Sequence, residues 1–482
     1  MVPATGLLDR RTVLRALAAA GTLTAASPWL SAPPGLAAPG TALGTTAGTA
    51  TRPPDSTVAA TVREEFLVAW NAYRRLAWGR DELRPLAGVG SDFFANGHPV
   101  GLTIVESLDT LYLMELDDDL ELAVQWCEQN LSFDINAYFQ VFETIIRMVG
   151  GLLSGYHATG RSALLRLARD LADRLLPAFT ASPTGAPYRF VNLRTGAVSG
   201  AQNVLAEIGT NITEFGDLSR LTGDARYFEA GKRAFRAVVD RRSDLDLVGT
   251  TMNVETGEWV NRTATIDPPV DSFFEYLWDG WHLLGDRDLL DWYRLLTAAI
   301  LRHEREIFNG HLWFRRVDKD TGNLVARRTS ELTSFYAGLL AESGHVGLGA
   351  AYHDSWTAVA ERYPLIPEGI DYTTFAATSR GNQLRPEYVD AAFNLWLVTG
   401  HEVYRDRAYD YFLRVKQNCR VPNGYTIATD VTTTPVTLGD LTSAYWFSEN
   451  MKYYYLMFAH SPRFDYQDNY LTTEGNVLRG LR

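Results

Sequence analysis

The stretch EFGDLSRLTGDARYFEAGKRAFRAVVDRR, residues 214–242, holds the unit that decides the fold. A strongly apolar segment (204–221) runs up to a polar break at Gly223, and a more amphipathic segment, RYFEAGKRAFRAVVDRR, leaves it. The same break recurs as ATGRSAL at Gly160, LLGDRDL at Gly285, ESGHVGL at Gly344 and VTGHEVY at Gly400, with successive spacings of 63, 62, 59 and 56 residues. ELDDDLE near Asp118 and AHSPRFD near Ser461 occupy the equivalent places at the two ends, which makes seven breaks. Each follows an apolar, helix-like segment, at roughly 103–116, 141–157, 204–221, 271–284, 331–342, 387–398 and 445–459. Every break but the last leads into an amphipathic segment. TVREEFLVAWNAYRRLAW, with Val62, Phe66, Trp70 and Tyr73 at helical spacing, supplies the missing seventh. A helix apolar nearly all round is buried, and an amphipathic one lies outside it. Seven inner and seven outer helices in alternation predict an all-α (α/α)7 toroid. The period is long for an open solenoid, and polar capping repeats are missing.

A second signal shares the period. FVNLRTGAV, MNVETGEWV and RVDKDTGNLV each set Thr-Gly between β-prone residues, at Gly196, Gly257 and Gly322. They read as β-hairpins leading into inner helices, and so gathered at one end of the toroid.

The chain has 482 residues, is 46% apolar and carries a formal charge of −12, which suits a globular protein and disfavours nucleic acid or an anionic membrane as partner. Cys127 and Cys419 are the only cysteines, too few for a disulfide framework or a Cys-based zinc site. Residues 1–38 read as an export signal: Arg10-Arg11 precede a mildly apolar, Ala-rich stretch and a small-residue cleavage site, which suggests the twin-arginine route. Residues 39–58 read as a flexible leader, with one domain over 59–482. The expected location is extracellular or in the cell envelope, without stable membrane insertion, and the expected state is a monomer.

Inner helices should avoid charge, because a buried unpaired carboxylate is costly. Yet nearly every inner segment carries acid in its first half: Glu106 and Asp109, Glu143, Glu207 and Glu214, Asp271 and Glu275, Glu331, Glu387 and Asp390, and Glu449. If all seven run the same way, these acids point to one mouth of the central cavity. Singly, each has a plainer reading: Asp271 as an N-cap, Glu387 as a first-turn acid, Glu143 with Arg147 as an i,i+4 ion pair. Seven helices doing the same thing point instead to an acidic ring for a polyhydroxylated ligand, a hard cation, or both. The nine His are scattered, with His157, His345 and His401 at or near breaks, which disfavours a His-based acid/base or metal site. No GxSxG elbow and no GxxxxGK[ST] loop occurs.

Seven blocks carry a resemblance that runs, in order, through essentially the whole mature chain. They are AWNAYRRLAWGRDELRPLAG (69–88), GLTIVESLDTLYLMEL (101–116), VFETIIRMVGGLLSGYHATG (141–160), EFGDLSRLTGDARY (214–227), DSFFEYLWDGW (271–281), LRPEYVDAAFNLWLVTG (384–400) and SENMKYYYLMFA (448–459). Together they resemble glycoside hydrolase family 47, the class I α-mannosidases, here in the form of an exported bacterial member. The resemblance implies an (α/α)7 toroid and an exo-acting, inverting, calcium-dependent hydrolase of α-1,2-linked mannose on oligomannose glycans or glycoproteins. It implies Glu143 as general acid, acting through a water, Asp271 as the alternative proton donor, and Glu387 as general base. It implies Thr473 as the residue that binds Ca2+ through its carbonyl and hydroxyl, with Glu474, Glu449 and Asp390 around the ion and the sugar. Arg147 and Arg385 match arginines that orient these carboxylates, and Tyr445 matches an aromatic under the mannose ring.

The chain departs from the family pattern in several places. Glu331-Leu332-Thr333-Ser334-Phe335 stands where HLVCF is usual, so the His and a disulfide Cys are missing. Pro269 replaces an Arg two residues before Asp271, TTEGNV replaces NTEAHP, and Glu106 replaces an Asp. These changes bear on linkage specificity and on subsites beyond the terminal mannose. They leave open a mannose-glycan-binding or weakly active protein on the same fold, an α-mannosidase of other linkage specificity, or another toroid enzyme such as a sugar epimerase.

Overall fold

The computed structural model describes residues 52–482. The predicted export signal and most of the predicted leader lie outside the described residues. Fourteen helical elements follow in the described chain. Outer helices are α1 (Asp55–Leu76), α3 (Asp117–Asn130), α5 (Ser162–Thr180), α7 (Arg226–Val239), α9 (Arg287–His303), α11 (Val346–Ala360) and α13 (Glu402–Cys419). Between them run the inner helices α2 (Leu102–Glu106 and Leu108–Leu113), α4 (Val141–Glu143, Thr144–Val149 and Gly150–Thr159) and α6 (Leu205–Gly209 and Ile212–Thr222). The inner set continues with α8 (Asp271–Leu284), α10 (Glu331–Phe335 and Tyr336–Glu342), α12 (Glu387–Thr399) and α14 (Trp446–Asn450 and Met451–Phe458). Each inner helix packs on the next, and α14 returns to pack on α1 and α2, so the ring closes as an (α/α)7 barrel. Helix α1 takes in residues 55–58, the end of the stretch read as leader.

The recurring glycines are helix stops. Gly160, Gly223, Gly285 and Gly400 cap α4, α6, α8 and α12 in the left-handed conformation, with φ between 67° and 74°. A residue with a Cβ is strained there, which is why the break keeps its Gly. The opening helix buries the face its spacing predicts. Val62, Phe66, Trp70 and Tyr73 are all fully buried, and the last three meet Phe447 of α14 at ring-centroid distances of 5.6–6.5 Å. Each such side chain contributes about 1.5–3 kcal/mol of burial free energy, so the first and last helices are bound by apolar packing.

All three Thr-Gly segments are hairpins, paired Val191 to Val198, Met252 to Trp259 and Val317 to Leu324. Each takes a third, antiparallel strand from the segment that leads into an inner helix. Tyr138–Gln140 pairs with the first hairpin and runs straight into α4, and Gln202–Val204 pairs with the second and runs straight into α6. Thr263–Ala264 joins the third, ahead of α8. These small sheets fix where the inner helices begin. A fourth sheet, Arg328–Ser330 with Gly369–Asp371 and Ala376–Ser379, does the same for α10. It lacks the Thr-Gly signature because Phe375 takes the left-handed turn position, with φ 61°.

Two features of the inner helices lie beyond the sequence pattern. Ser107 interrupts α2, and Thr210 and Asn211 interrupt α6. Residues Thr144–Val149 of α4 and Trp446–Asn450 of α14 are wound as π-helix, which gathers in functional sites. Arg147 and Glu449 lie in these two turns. The far end of the barrel is plugged by the C-terminal hairpin, Tyr470–Leu471 with Val477–Arg479. Its outer residues meet the last turns of α8, with the Tyr470 hydroxyl on Asp279 at 3.2 Å and Arg479 at the His282 carbonyl. Its turn, residues 472–476, reaches inward to Tyr276, whose hydroxyl accepts from the Thr473 N–H at 3.4 Å.

Candidate active site

At the end of the barrel where the inner helices begin, a funnel of about 260 Å³, partly open to solvent, descends to the hairpin turn. Glu143, Asp271 and Glu387 line it, each at or near the first residue of α4, α8 and α12. So do Arg147, Arg385, Asp390, Tyr445 and Glu449. Thr473 and Glu474 form its floor, carried there by the hairpin. All ten residues singled out from the sequence therefore share one cavity.

The acidic ring is less complete than the sequence pattern suggests. Glu106, Asp109, Glu214 and Glu331 are fully buried and do not face the funnel. Glu106 pairs with Arg147 at 3.0 Å, Asp109 with Lys452 at 2.8 Å, and Glu214 accepts from the Tyr276 hydroxyl at 2.7 Å. Helices α2 and α10 thus place no acid on the wall; α10 offers Leu332 and Phe335 instead. Their acids sit one layer behind, because an inner helix has no polar face to fix which way a lone carboxyl turns.

Arg147 is the hub of the wall. Its Nε lies 2.6 Å from Glu143, and its Nη1 lies 3.0 Å from Glu106 and 2.9 Å from Glu474. One guanidinium thereby ties the rim acid to the floor acid. The guanidinium carbons of Arg147 and Arg385 lie 5.5 and 5.9 Å from the Tyr445 ring centre, and the Tyr445 hydroxyl donates to the Gln383 carbonyl at 2.5 Å. Arg385 pairs with Glu368 at 3.1 Å, a partner the sequence reading did not name. Glu275, another acid of the inner segments, lies one helical turn beyond Asp271, lines the funnel and bonds the Thr473 side chain. At the rim, Glu207 is held by Arg189 at 2.8 Å and by Gln140 at 2.7 Å.

Burial dominates the electrostatics. It raises Asp271 to about 7, against the Ser272 N–H that favours the ionised form. It raises Glu387 to about 7, with the Arg385 charge opposing. Burial, then neighbouring carboxylates, hold Glu275 and Glu449 well above the usual range; Glu474 is likewise raised by burial, against the pull of Arg147. Among the described residues, Arg147 and Arg385 are the only cationic side chains lining the funnel, against eight carboxyls. Such a floor demands protons or a cation, and its donors are hard oxygens. Among the described residues, no three Asp, Glu, His or Cys side chains converge tightly enough to hold an ion by themselves. The set, hard oxygens on an acidic floor, fits a hard cation by its chemistry and does not fit a direct carboxylate cage. Among the described residues no His lines the funnel. Cys127 and Cys419 are buried, unbridged thiols on α3 and α13.

The sequence pattern of "Glycosyl hydrolase family 47" matches residues 65–480. The chain belongs to that family. It is a glycoside hydrolase. Among relatives of this family 47 hydrolase, "Alpha-mannosidase I MNS5" of Arabidopsis thaliana is 33% identical over 448 residues, covering 87% of this chain and 76% of its own. "Mannosyl-oligosaccharide 1,2-alpha-mannosidase IB" of Mus musculus is 31% identical over 459 residues, covering 87% of this chain and 69% of its own. The solved "alpha-1,2-mannosidase from Trichoderma reesei" superposes with a TM-score of 0.81 at 25% identity, covering 89% of this chain and 100% of that one. A cellobiose 2-epimerase from Spirochaeta thermophila, at TM-score 0.53 and 12% identity, shares the fold alone.

Proposed function

We propose that the family 47 chain is an exo-acting, inverting, calcium-dependent hydrolase of terminal α-1,2-linked mannose on oligomannose glycans. The observation that carries this reading is the meeting of Glu143, Asp271, Glu387 and Thr473 on one funnel. A protein that only binds mannose needs neither an acid nor a base, and this wall holds candidates for both. The names of the mouse and fungal relatives, both 1,2-α-mannosidases, support the linkage.

Inversion requires a base that activates water on one face of the sugar and an acid that protonates the leaving oxygen on the other. Glu387 is the base. It draws a proton from water as the water oxygen bonds to the anomeric carbon and the glycosidic C–O bond breaks. The leaving oxygen takes its proton from Asp271, or from Glu143 through a water. Asp271 is suited to keep a proton near neutral pH because burial raises it to about 7. Glu143 keeps 21% of its side chain exposed and is held by Arg147, which suits relay through a water over direct contact. Tyr445 offers its ring to the apolar face of the sugar. Thr473 would hold Ca2+, with Glu474, Glu449 and Asp390 placed to orient waters around it. A bound ion would supply a hard positive charge that sugar hydroxyl oxygens could coordinate. Export of a bacterial protein by the twin-arginine route, to act outside the cytoplasm as a monomer, completes the proposal.

The test is hydrolysis of α-1,2-, α-1,3- and α-1,6-mannobiose with Ca2+ and with EDTA. Release of mannose from the α-1,2 isomer, in Ca2+ only, is the expected result. Cleavage of another isomer in preference would assign a different linkage, and Pro269 and Glu331 would be the first residues to exchange. Binding without cleavage of any isomer would assign a lectin-like role.

A further inference from the structure

Helix α10 enters the barrel on Glu331, whose backbone N–H donates to the Glu368 carbonyl at 3.1 Å and whose side chain is fully buried. The turn Glu331–Phe335 packs against α12. There the Glu331 carboxyl lies within hydrogen-bond reach of the carboxyl of Glu387, the first residue of α12. Among the described residues, no N–H or hydroxyl donates a hydrogen bond to either oxygen of Glu331 or to Oε2 of Glu387. Three carboxyl oxygens of this touching pair are thus buried without a donor.

The surroundings supply none. From the segment before α12, Arg385 commits its Nε and Nη2 to Glu368 at 3.1–3.2 Å, and Glu368 itself adds negative charge. Asp271 of α8 faces Glu387 with a third carboxyl. Tyr411 of α13 and Tyr454 of α14 approach Glu331 as neutral phenols. From α11, the Tyr352 hydroxyl is engaged with Thr333 at 2.7 Å. Two buried carboxylates in contact cannot both ionise, so such a pair shares a proton.

We infer that Glu331 is a positioning residue of this site: it keeps a proton and donates it to Oε2 of Glu387, leaving Oε1 to act on the attacking water. The inference rests on the reading of Glu387 as general base. In turnover Glu387 gains the proton of the attacking water, so the pair then holds two protons and returns one to solvent as product leaves. The buried proton fixes the rotamer of the base and keeps one negative charge on the pair. A structural role as mere filling would need the volume of Glu331 and no proton.

Two variants separate these roles. Glu331→Gln keeps an N–H donor, and Glu331→Leu keeps only volume. On α-1,2-mannobiose, Glu331→Gln should stay within about threefold of the parent in kcat, whereas Glu331→Leu should lose about ten- to a hundredfold, the worth of one hydrogen bond to a charged group. KM should move little in either, and the acidic limb of the Glu331→Leu profile should shift to higher pH because Glu387 has lost its donor. Equal kcat and superimposable pH profiles for the two variants would overturn the proposal. The infrared difference between the parent and Glu331→Gln at pH 7 reads the proton without turnover. Loss of one protonated-carboxyl C=O band is expected, and its retention would overturn the proposal even if Glu331→Leu does not fold. If the parent leaves mannobiose intact, the reading of the function fails, while the infrared result still decides whether Glu331 carries the proton.

Discussion

Lys452 and Asp109 meet at 2.8 Å with no solvent on either side chain, and both hold the turn that carries Thr473. Asp109 also accepts from the Val477 N–H at 2.8 Å, and the Lys452 ammonium donates to the Gly475 carbonyl. A buried ion pair seldom adds net stability, but removing one partner strands the other. This pair therefore explains how a C-terminal hairpin is held inside the barrel as the floor of a polar funnel.

Lys452→Met should lose about 3–5 kcal/mol of unfolding free energy, because Asp109 is left buried without its cation. Adding Asp109→Asn should restore part of that loss. Chemical denaturation of the two single variants and the double variant checks it. Additive losses would mean that the two side chains act independently.

Glu387→Gln should lower kcat by about 10²–10⁴-fold, the usual worth of a positioned base, with KM changed far less. Asp271→Asn and Glu143→Gln separate the two candidate donors. An aryl mannoside with a good leaving group should rescue the variant that lacks the proton donor and leave Glu387→Gln inactive. Steady-state kinetics on both substrates is the measurement. Rescue of Glu387→Gln would reverse the roles.

Glu214 gives a signed pH effect on stability. Burial raises it to about 7, above the ordinary 4.5, although the hydroxyls of Tyr276 and Thr213 favour its ionised form. Between those values the folded chain binds more protons than the unfolded chain, so stability falls as pH rises. The contribution is complete below about 4.5 and lost through about 7, on the order of 3 kcal/mol in all. Glu214→Gln should flatten this part of the curve of unfolding free energy against pH. An unchanged slope would mean that Glu214 titrates normally.

Removal of Ca2+ should lower stability as well as activity, since a ligand bound only by the folded state adds about 2.7 kcal/mol at a hundredfold excess over its Kd. Thermal unfolding with and without EDTA reads the effect. Thr473→Val should unfold at the same temperature in both conditions. A Tm of the parent that ignores EDTA would remove the ion from the account.

The fold was legible because its punctuation is physical. A left-handed helix stop needs Gly, so Gly160, Gly223, Gly285 and Gly400 stand in the sequence where the inner helices end. The hairpins at Gly196, Gly257 and Gly322 were legible for the same reason, and the sheet turning at Phe375 was not. The ten residues that share the funnel are named through the resemblance to the family, and the periodicity alone does not single them out. A helix apolar on every side records that it is buried, without recording which way a given carboxyl turns. That is why Glu106, Asp109, Glu214 and Glu331 looked like members of the ring and lie behind it. Glu368 and Glu275 escaped for a related reason: their importance lies in contacts, with Arg385 and with Thr473, that no spacing encodes.

The most direct test of the central claim is proton NMR of the purified protein turning over α-1,2-mannobiose in Ca2+, read before mutarotation. The account predicts β-mannose as the first-formed anomer, with Glu387 activating water opposite the departing oxygen. α-Mannose appearing first would mean a retaining mechanism and would contradict the roles assigned to Glu387, Asp271 and Glu143.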